Sequence, residues 1–339
     1  MMRLRAGKRK CYSLNIMQAV NALQNRQSGH RYRVGINRQT VALFVRLMGE
    51  PKMTAATASE ADLIKERTRQ NWDAAATGWD KHAPAIRAWL RRPTDAMLNM
   101  AAVAPGQRVL DVAAGAGDQT LDLAERVGPK GRVVASDISA KILTIAAQNA
   151  ARAGHSNVET HLADAEHLNL PAGTFDAAVC RLGLMFLPDP LAGLAQVYRA
   201  LIPGGRFCAM VFAGPDHNPC LRILMMTALR HAGLPPRDPF QPGGLVSLGR
   251  PGAIDALFRQ AGFSAVATTR MDAPFRMPTA DQYLEFVQDA AGPILQILAP
   301  LAPAAKAAAW ADMADQLAAF QTPEGWVGPN TLLLTVGQT

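Results

Sequence analysis

A chain of 339 residues, 49% of them hydrophobic, is long enough to hold one large α/β domain or two ordinary ones and to bury a substantial core. Its net charge of +8 suggests a polyanion partner until it is located: residues 1–52 hold 11 Lys and Arg against one acid, Glu50, and the remainder holds 24 bases against 26 acids. Charge therefore argues against nucleic-acid binding by the body, and the stretch Ala290 to Ala305, uncharged over 16 residues but broken by Pro293, Pro300 and Pro303, is too short to span a bilayer.

Residues 1–52 lack the apolar run of a secretory signal. They read as an organelle transit segment, a basic arm, or translated sequence upstream of a start at Met53. The composition shift at Met53 favours the last, and the extension is expected to be disordered. Residues 53–106 read as an N-terminal helical segment, opened by a capping box at Ser59-Glu-Ala-Asp62, with Ile64, Trp72, Ile86, Trp89, Leu90, Met97 and Leu98 on its apolar faces.

After Pro105-Gly106 the texture changes. Strands are expected at Gln107 to Ala113, Arg132 to Asp137, Asn157 to Leu162, Phe175 to Cys180 and Arg206 to Phe212. Helices are expected between them at Gln119 to Arg126, Ala140 to Arg152 and Pro190 to Leu201, with Gly128 and Gly154 as C-caps and Pro203-Gly204-Gly205 as a turn. A further helix closes at Gly262, and Phe263 to Arg270 and Thr331 to Val336 supply two more strands. This alternation predicts an α/β fold over residues 107–339, a Rossmann-like, doubly wound, mostly parallel seven-stranded sheet. Lid insertions fall near 214–250 and 278–325. The first, with Leu221, Ile223, Leu224, Met225, Met226 and Leu229, reads as a lid with an apolar lining, although each such residue also suits simple packing.

The ligand of such a sheet sits beyond the carboxyl ends of its strands. There the sequence has Val109-Leu-Asp-Val-Ala-Ala-Gly-Ala-Gly-Asp118, a buried strand running into a turn of small residues. The spacing differs from the Gly-x-Gly-x-x-Gly of dinucleotide sites, and Asp111 and Asp118 would repel a pyrophosphate. They suit a ligand bearing an amino group and a sulfonium. Twenty residues beyond Gly117, Asp137 ends the second strand, where an acid can accept both ribose hydroxyls. Asp164, after the third strand, can accept the adenine amine, with the Ala165 backbone at the ring edge.

These motifs resemble the class I S-adenosylmethionine-dependent methyltransferases, and among them the ubiquinone/menaquinone-biosynthesis C-methyltransferase group, over about Trp72 to Phe212. The resemblance rests on Val109 to Thr120, Val133 to Ser139, Asp164 to Pro171, Phe175 to Asp189 and Tyr198-Arg-Ala-Leu-Ile-Pro-Gly-Gly-Arg206. It implies S-adenosyl-L-methionine as cofactor, contacts at Ala116, Asp137, Asp164, Ala165 and Arg181, and a methionine end framed by Asp111, Gly115 and Gly117. Three readings of Arg181 stand open: it reaches a cofactor carboxylate, contacts substrate, or bridges surface acids.

Methyl transfer needs alignment more than a side-chain nucleophile, and a base only where the acceptor must lose a proton. His217 and His82 are candidates for that base, with Asp216 and Tyr283 behind them. The expected acceptor is a small apolar or aromatic molecule, quinone-like, phenolic or lipidic, handled in the cytoplasm. Cys11, Cys180, Cys208 and Cys220 form no Cys-x-x-Cys pair, and the six-residue spacing of His155, His161 and His167 suits no metal site. Nucleic-acid methylation is disfavoured because Cys180-Arg-Leu-Gly183 replaces an Asn/Asp-Pro-Pro-aromatic motif. An NAD(P)-dependent oxidoreductase and a non-catalytic cofactor-binding protein are the alternative classes.

Overall fold

The computed structural model describes residues 60–339; the basic extension 1–52, the Met53 start and the Ser59 cap lie outside the described residues. Two helices come first, α1 (Glu60–Lys81) and α2 (Ala83–Met100), and they belong to the same compact unit as the sheet that follows. Ile86, Leu90, Pro93, Met97 and Leu98 of α2 are buried at helical spacing, so this face packs inward as the periodicity predicts.

The Rossmann-like half then reads β1 (Arg108–Val112), α3 (Asp118–Val127), β2 (Arg132–Asp137), α4 (Ala140–Arg152), β3 (Val158–Leu162), β4 (Phe175–Arg181), α5 (Pro190–Ala200) and β5 (Leu201–Phe212). Helix ends are set by local chemistry. Ser139 accepts a hydrogen bond from the Ile142 amide and Asp189 from the Ala192 amide, and Gly128 ends α3 with φ of 68°. β1, β2 and β4 are buried after their first residues, which is why they read as near-continuous apolar runs. The edge strand β3 is mostly exposed and reads as a mixed Val-Glu-Thr-His-Leu segment.

Beyond β5 lie α6 (Pro219–His231), α7 (Ala253–Gln260), β6 (Ser264–Asp272), β7 (Phe275–Met277), α8 (Ala280–Ala290), α9 (Gly292–Leu298), α10 (Pro303–Leu317), β8 (Gln321–Thr322), β9 (Gly325–Gly328) and β10 (Thr331–Gln338). The main sheet has seven strands in the order β3-β2-β1-β4-β5-β10-β6. The first five are parallel, and β10 runs antiparallel between β5 and β6. Phe207 of β5 stacks on Phe258 of α7 at 5.3 Å and 6°, fixing that helix to the sheet; emptying such a site costs roughly 3–5 kcal/mol. Among the described residues no helix is long and apolar enough to cross a membrane.

One local expectation is corrected. The fifth strand starts at Leu201, which pairs with Phe175, and the next pairing joins Ala177 to Arg206, so Pro203-Gly204-Gly205 is a bulge inside the strand, with Gly204 at φ of 81°. A small second sheet, β7-β9-β8, brackets the second insertion, with β7 just before it and β8 and β9 at its end; its strands of two to four residues are too short to show a period.

Candidate cofactor and acceptor site

Between the ends of β1 and β4, where the strand order reverses, the chain leaves β1 through Ala113 and Gly115, both at positive φ (53° and 59°), and enters α3 at Gly117 with φ of 87°. The last value admits glycine readily, and a Cβ at Gly117 would come within 3.0 Å of Ala146 on α4. Gly183, after β4, is needed for a different reason: a Cβ there would collide with Ala113. The two strand-end loops meet closely and frame a cavity of about 680 Å³.

Asp137 closes one side of it. Its Oδ2 accepts the Gly115 amide at 3.0 Å and its Oδ1 the Ser139 amide at 2.9 Å, so the carboxylate staples the turn to β2. It is 8% exposed, and burial pushes its carboxyl up to about 6 against those amide hydrogen bonds. Each carboxylate oxygen has further acceptor capacity. Pairs of hydroxyls, as on a ribose, fit that donor demand, and the small side chains of Ala113, Ala114 and Ala116 leave room beside it.

Of the other anticipated contacts, Gly115, Ala116, Asp164, Ala165 and Arg181 line this cavity together with Asp137. Asp111 and Gly117 do not. Asp111 is fully buried beneath the turn, where Thr120 Oγ1 (2.6 Å) and Gln119 Nε2 (3.1 Å) donate to it, and burial pushes its carboxyl up to about 6. It holds the start of α3 rather than facing the cavity.

Asp164 accepts the Glu166 amide (2.9 Å) and Lys65 Nζ of α1 (2.7 Å), and Lys65 also reaches Glu166 Oε2 at 2.5 Å. Burial would raise the Asp164 carboxyl, but the hydrogen bond and charge of Lys65 hold it below the usual range. Asp164, Glu166 and His167 lie close enough to share a cation. Lys65 already supplies the positive charge there.

At the opposite end Arg181 Nη1 lies 2.8 Å from Asp118 Oδ2 and 3.1 Å from Thr94 Oγ1. Arg87, which also lines the cavity, bridges Asp118 (3.3 Å) and Asp122. Of the open readings for Arg181, these contacts are those of a bridge to an acid. The side-chain candidates for a base are elsewhere: His82 Nε2 is 2.8 Å from Asp289, His217 is exposed and 3.1 Å from Arg270, and Asp216 is exposed. Tyr283 is 3% exposed and stacked on Trp326 at 4.3 Å, with burial raising its hydroxyl. None of the four lines this cavity or the one beside it.

That second cavity, of about 830 Å³, shares Thr68, Trp72, Phe186 and Pro188 with the first. Leu221, Met225, Met226 and Leu229 of the first insertion line it, together with Ile64 and Ile297. Leu224, by contrast, is 1% exposed and packs in the core. The common wall is aromatic, with Trp72 edge-on to Phe186 at 5.6 Å and Trp79 a further 5.6 Å along α1. Sequence reading took Trp72 as an apolar-face residue and passed over Trp79, Phe186, Lys65 and Arg87. The seven-residue spacing of Trp72 and Trp79, two turns on one helix face, was the available signal.

The model of the ubiE/COQ5 methyltransferase family matches residues 86–225. Nocamycin O-methyltransferase of Saccharothrix syringae is 31% identical over 198 residues, 55% of this chain and 69% of the relative. Ubiquinone/menaquinone biosynthesis C-methyltransferase UbiE of Teredinibacter turnerae is 37% identical over 122 residues, 36% of this chain; the chain spans 49% of that relative's length. Among solved structures, a phosphoethanolamine N-methyltransferase 2 of Haemonchus contortus superposes with a TM-score of 0.51 at 15% identity, covering 84% of this chain and 61% of the other, a likeness of fold. With the seven-stranded sheet and the small-residue turn between β1 and β4, these matches place the chain among the class I S-adenosylmethionine-dependent methyltransferases, its residues 86–225 being similar to the ubiE/COQ5 family.

Proposed function

We propose that this protein transfers the methyl group of S-adenosylmethionine to a small apolar or aromatic acceptor, held in the cavity beneath the first insertion. The observation that carries this reading is the adjacency of two cavities across Trp72 and Phe186, one with a nucleoside-suited acid at Asp137 and one lined by Met and Leu. The cofactor supplies a carbon already activated by its sulfonium. The chain's contribution is to grip the ribose at Asp137 and frame the methionine end with Gly115 and Ala116. Asp164 and the Ala165 backbone would hold the adenine, and the aromatic wall would keep water from the line of transfer. Asp111 acts beneath the turn, Gly117 at the start of α3 lets the turn pass close to Ala146, and Arg181 and Arg87 act through Asp118. His82, His217, Asp216 and Tyr283 lie away from both cavities, so none of these four is placed to serve as base for an acceptor held there. Cys180, Cys208 and Cys220 are buried free thiols, in keeping with a reducing cytoplasm.

The test is isothermal titration with S-adenosylhomocysteine and with a reduced nicotinamide dinucleotide, followed by tracing of labelled methyl from the cofactor into extracted small molecules. Binding of the dinucleotide alone, or no methyl leaving the cofactor, would overturn the proposal.

Lys65 offers a prediction within the same reading. Its pairs with Asp164 and Glu166 latch α1, which carries Trp72 and Trp79, over the cavity. Lys65→Met is expected to weaken S-adenosylhomocysteine binding about fivefold, corresponding to about 1 kcal/mol for a partly buried pair. Hydrogen exchange should quicken in α1. Protection of α1 equal to the parent's would show that the latch does not hold it.

A further inference from the structure

Resting on the reading that the second cavity receives the acceptor, we propose that the acceptor carries an oxyanion, such as a carboxylate, on its apolar body. Arg67 of α1, Arg222 of α6 and Arg237 of the first insertion all line this cavity, and among the described residues none of their guanidinium groups makes an ion pair or hydrogen bond. Of the two other arginines that approach the methionine end of the first cavity, both are matched by acids, Arg87 by Asp118 and Asp122 and Arg181 by Asp118.

The one carboxylate among the residues lining the cavity, Asp238, lies 3.2 Å from Arg250, whose guanidinium sits 4.3 Å over the Phe240 ring and outside the lining. The remaining polar liners, Thr68, Asn71, Gln241 and Gln296, are neutral. The cavity thus joins an apolar wall, including Met226 at 44% exposure, to a solvent-exposed rim of three arginines with no acid partner among the described residues. A wholly neutral acceptor would match the wall and leave the rim unanswered; a cationic one would be repelled. An amphipathic acid answers both, its apolar part against Leu221, Met225 and Leu229 and its oxyanion at the guanidinium groups, which bind such oxygens in pairs.

The experiment uses two fluorescent probes of similar apolar shape, 1-anilinonaphthalene-8-sulfonate, an anion, and neutral N-phenyl-1-naphthylamine, titrated into the full chain with and without saturating S-adenosylhomocysteine. The anion should bind at least about tenfold more tightly at low salt, and the preference should shrink as salt screens it. The triple change Arg67→Gln, Arg222→Gln and Arg237→Gln should bring the two probes to within about twofold while leaving the neutral probe's affinity unchanged. Met225→Trp should weaken both by filling the wall. Equal binding of the probes to the parent chain, a preference that survives the triple change, or binding indifferent to Met225→Trp would overturn the proposal. Titration of S-adenosylhomocysteine is read separately: its failure to bind, with the arginine-dependent preference intact, would sink the methyl-transfer reading and leave the anion site standing.

Discussion

Asp137→Ala is expected to lower affinity for S-adenosylhomocysteine by on the order of 100-fold or more in isothermal titration. The carboxylate would accept two ribose hydroxyls, and hydrogen bonds to a charged group contribute roughly 1.5–3 kcal/mol each, where each 1.4 kcal/mol is about tenfold. The same substitution releases the Gly115 and Ser139 amides, so the turn loosens as well as losing its acceptor. Asp137→Asn separates these effects. It keeps one carbonyl acceptor for the turn but loses the charge, and should fall between the parent and Asp137→Ala. Unchanged affinity in Asp137→Ala would remove the ribose from this position.

The same carboxyl sets a pH dependence. Burial places it at about 6, and the like charge of Asp73 adds to the rise. Hydroxyl donors favour the ionised form, so affinity should climb as pH rises through about 6 and level off about one unit above. Asp137→Asn should flatten that rise. Asp111, also at about 6 and buried below the turn, is the group that could imitate the signal, and Asp111→Asn in the same titration identifies which carboxyl is responsible. For folding the sign is opposite. A carboxyl held above its unfolded value of about 3.9 opposes folding once it must ionise, and that cost is relieved as pH falls from 6 towards 4.

The sequence announces the parts of this fold whose causes are local. β1, β2 and β4 are short apolar runs because both faces are covered, and Gly128 and Gly154 stand where helices must stop. Asp137 is visible for the same reason: a strand end, a turn and an acid at a fixed spacing are all features of one stretch of chain. Residues whose roles arise from folding are not visible in this way. Lys65 meets Asp164 across 99 residues of sequence, and Trp79 donates its indole N–H to Ala290 across 211. Arg87 acquires its place only when α2 crosses α3.

Asp111 shows the converse error, since its position beside the turn suggested a contact with ligand. Strand geometry turns its side chain under the loop to Gln119 and Thr120. Of the residues that suit either a lid lining or simple packing, Leu221, Met225, Met226 and Leu229 line the cavity and Leu224 packs in the core, because only one side of α6 faces it. Arg181 had three readings from sequence because nothing in its neighbourhood along the chain names Thr94 or Asp118 as partners.

Arg181→Met should therefore act on stability as much as on binding. Its guanidinium pairs with Asp118 at side-chain exposures of 5% and 14%, and removing one member of a buried pair costs about 3–5 kcal/mol when the other is left alone. Asp118 is not left wholly alone, because Arg87 remains 3.3 Å from its other oxygen, so the expected loss is about 2–3 kcal/mol, or a fall in Tm of roughly 5–10 °C. Asp111 supplies the distinguishing test. The positive charge of Arg181 is one of the influences restraining the burial-driven rise of that carboxyl. Without it the carboxyl rises further, and keeping it ionised costs more at high pH. The gap in Tm between parent and variant should be wider at pH 8 than at pH 5.5, because at the lower pH Asp111 takes up a proton and the missing cation matters less. Arg181→Lys, able to reach Asp118 or Thr94 but not to hold both with one planar group, should recover part of the loss. A gap that stays constant with pH would mean that Arg181 acts through packing and Asp118 alone, with no electrostatic reach to the acid beneath the turn.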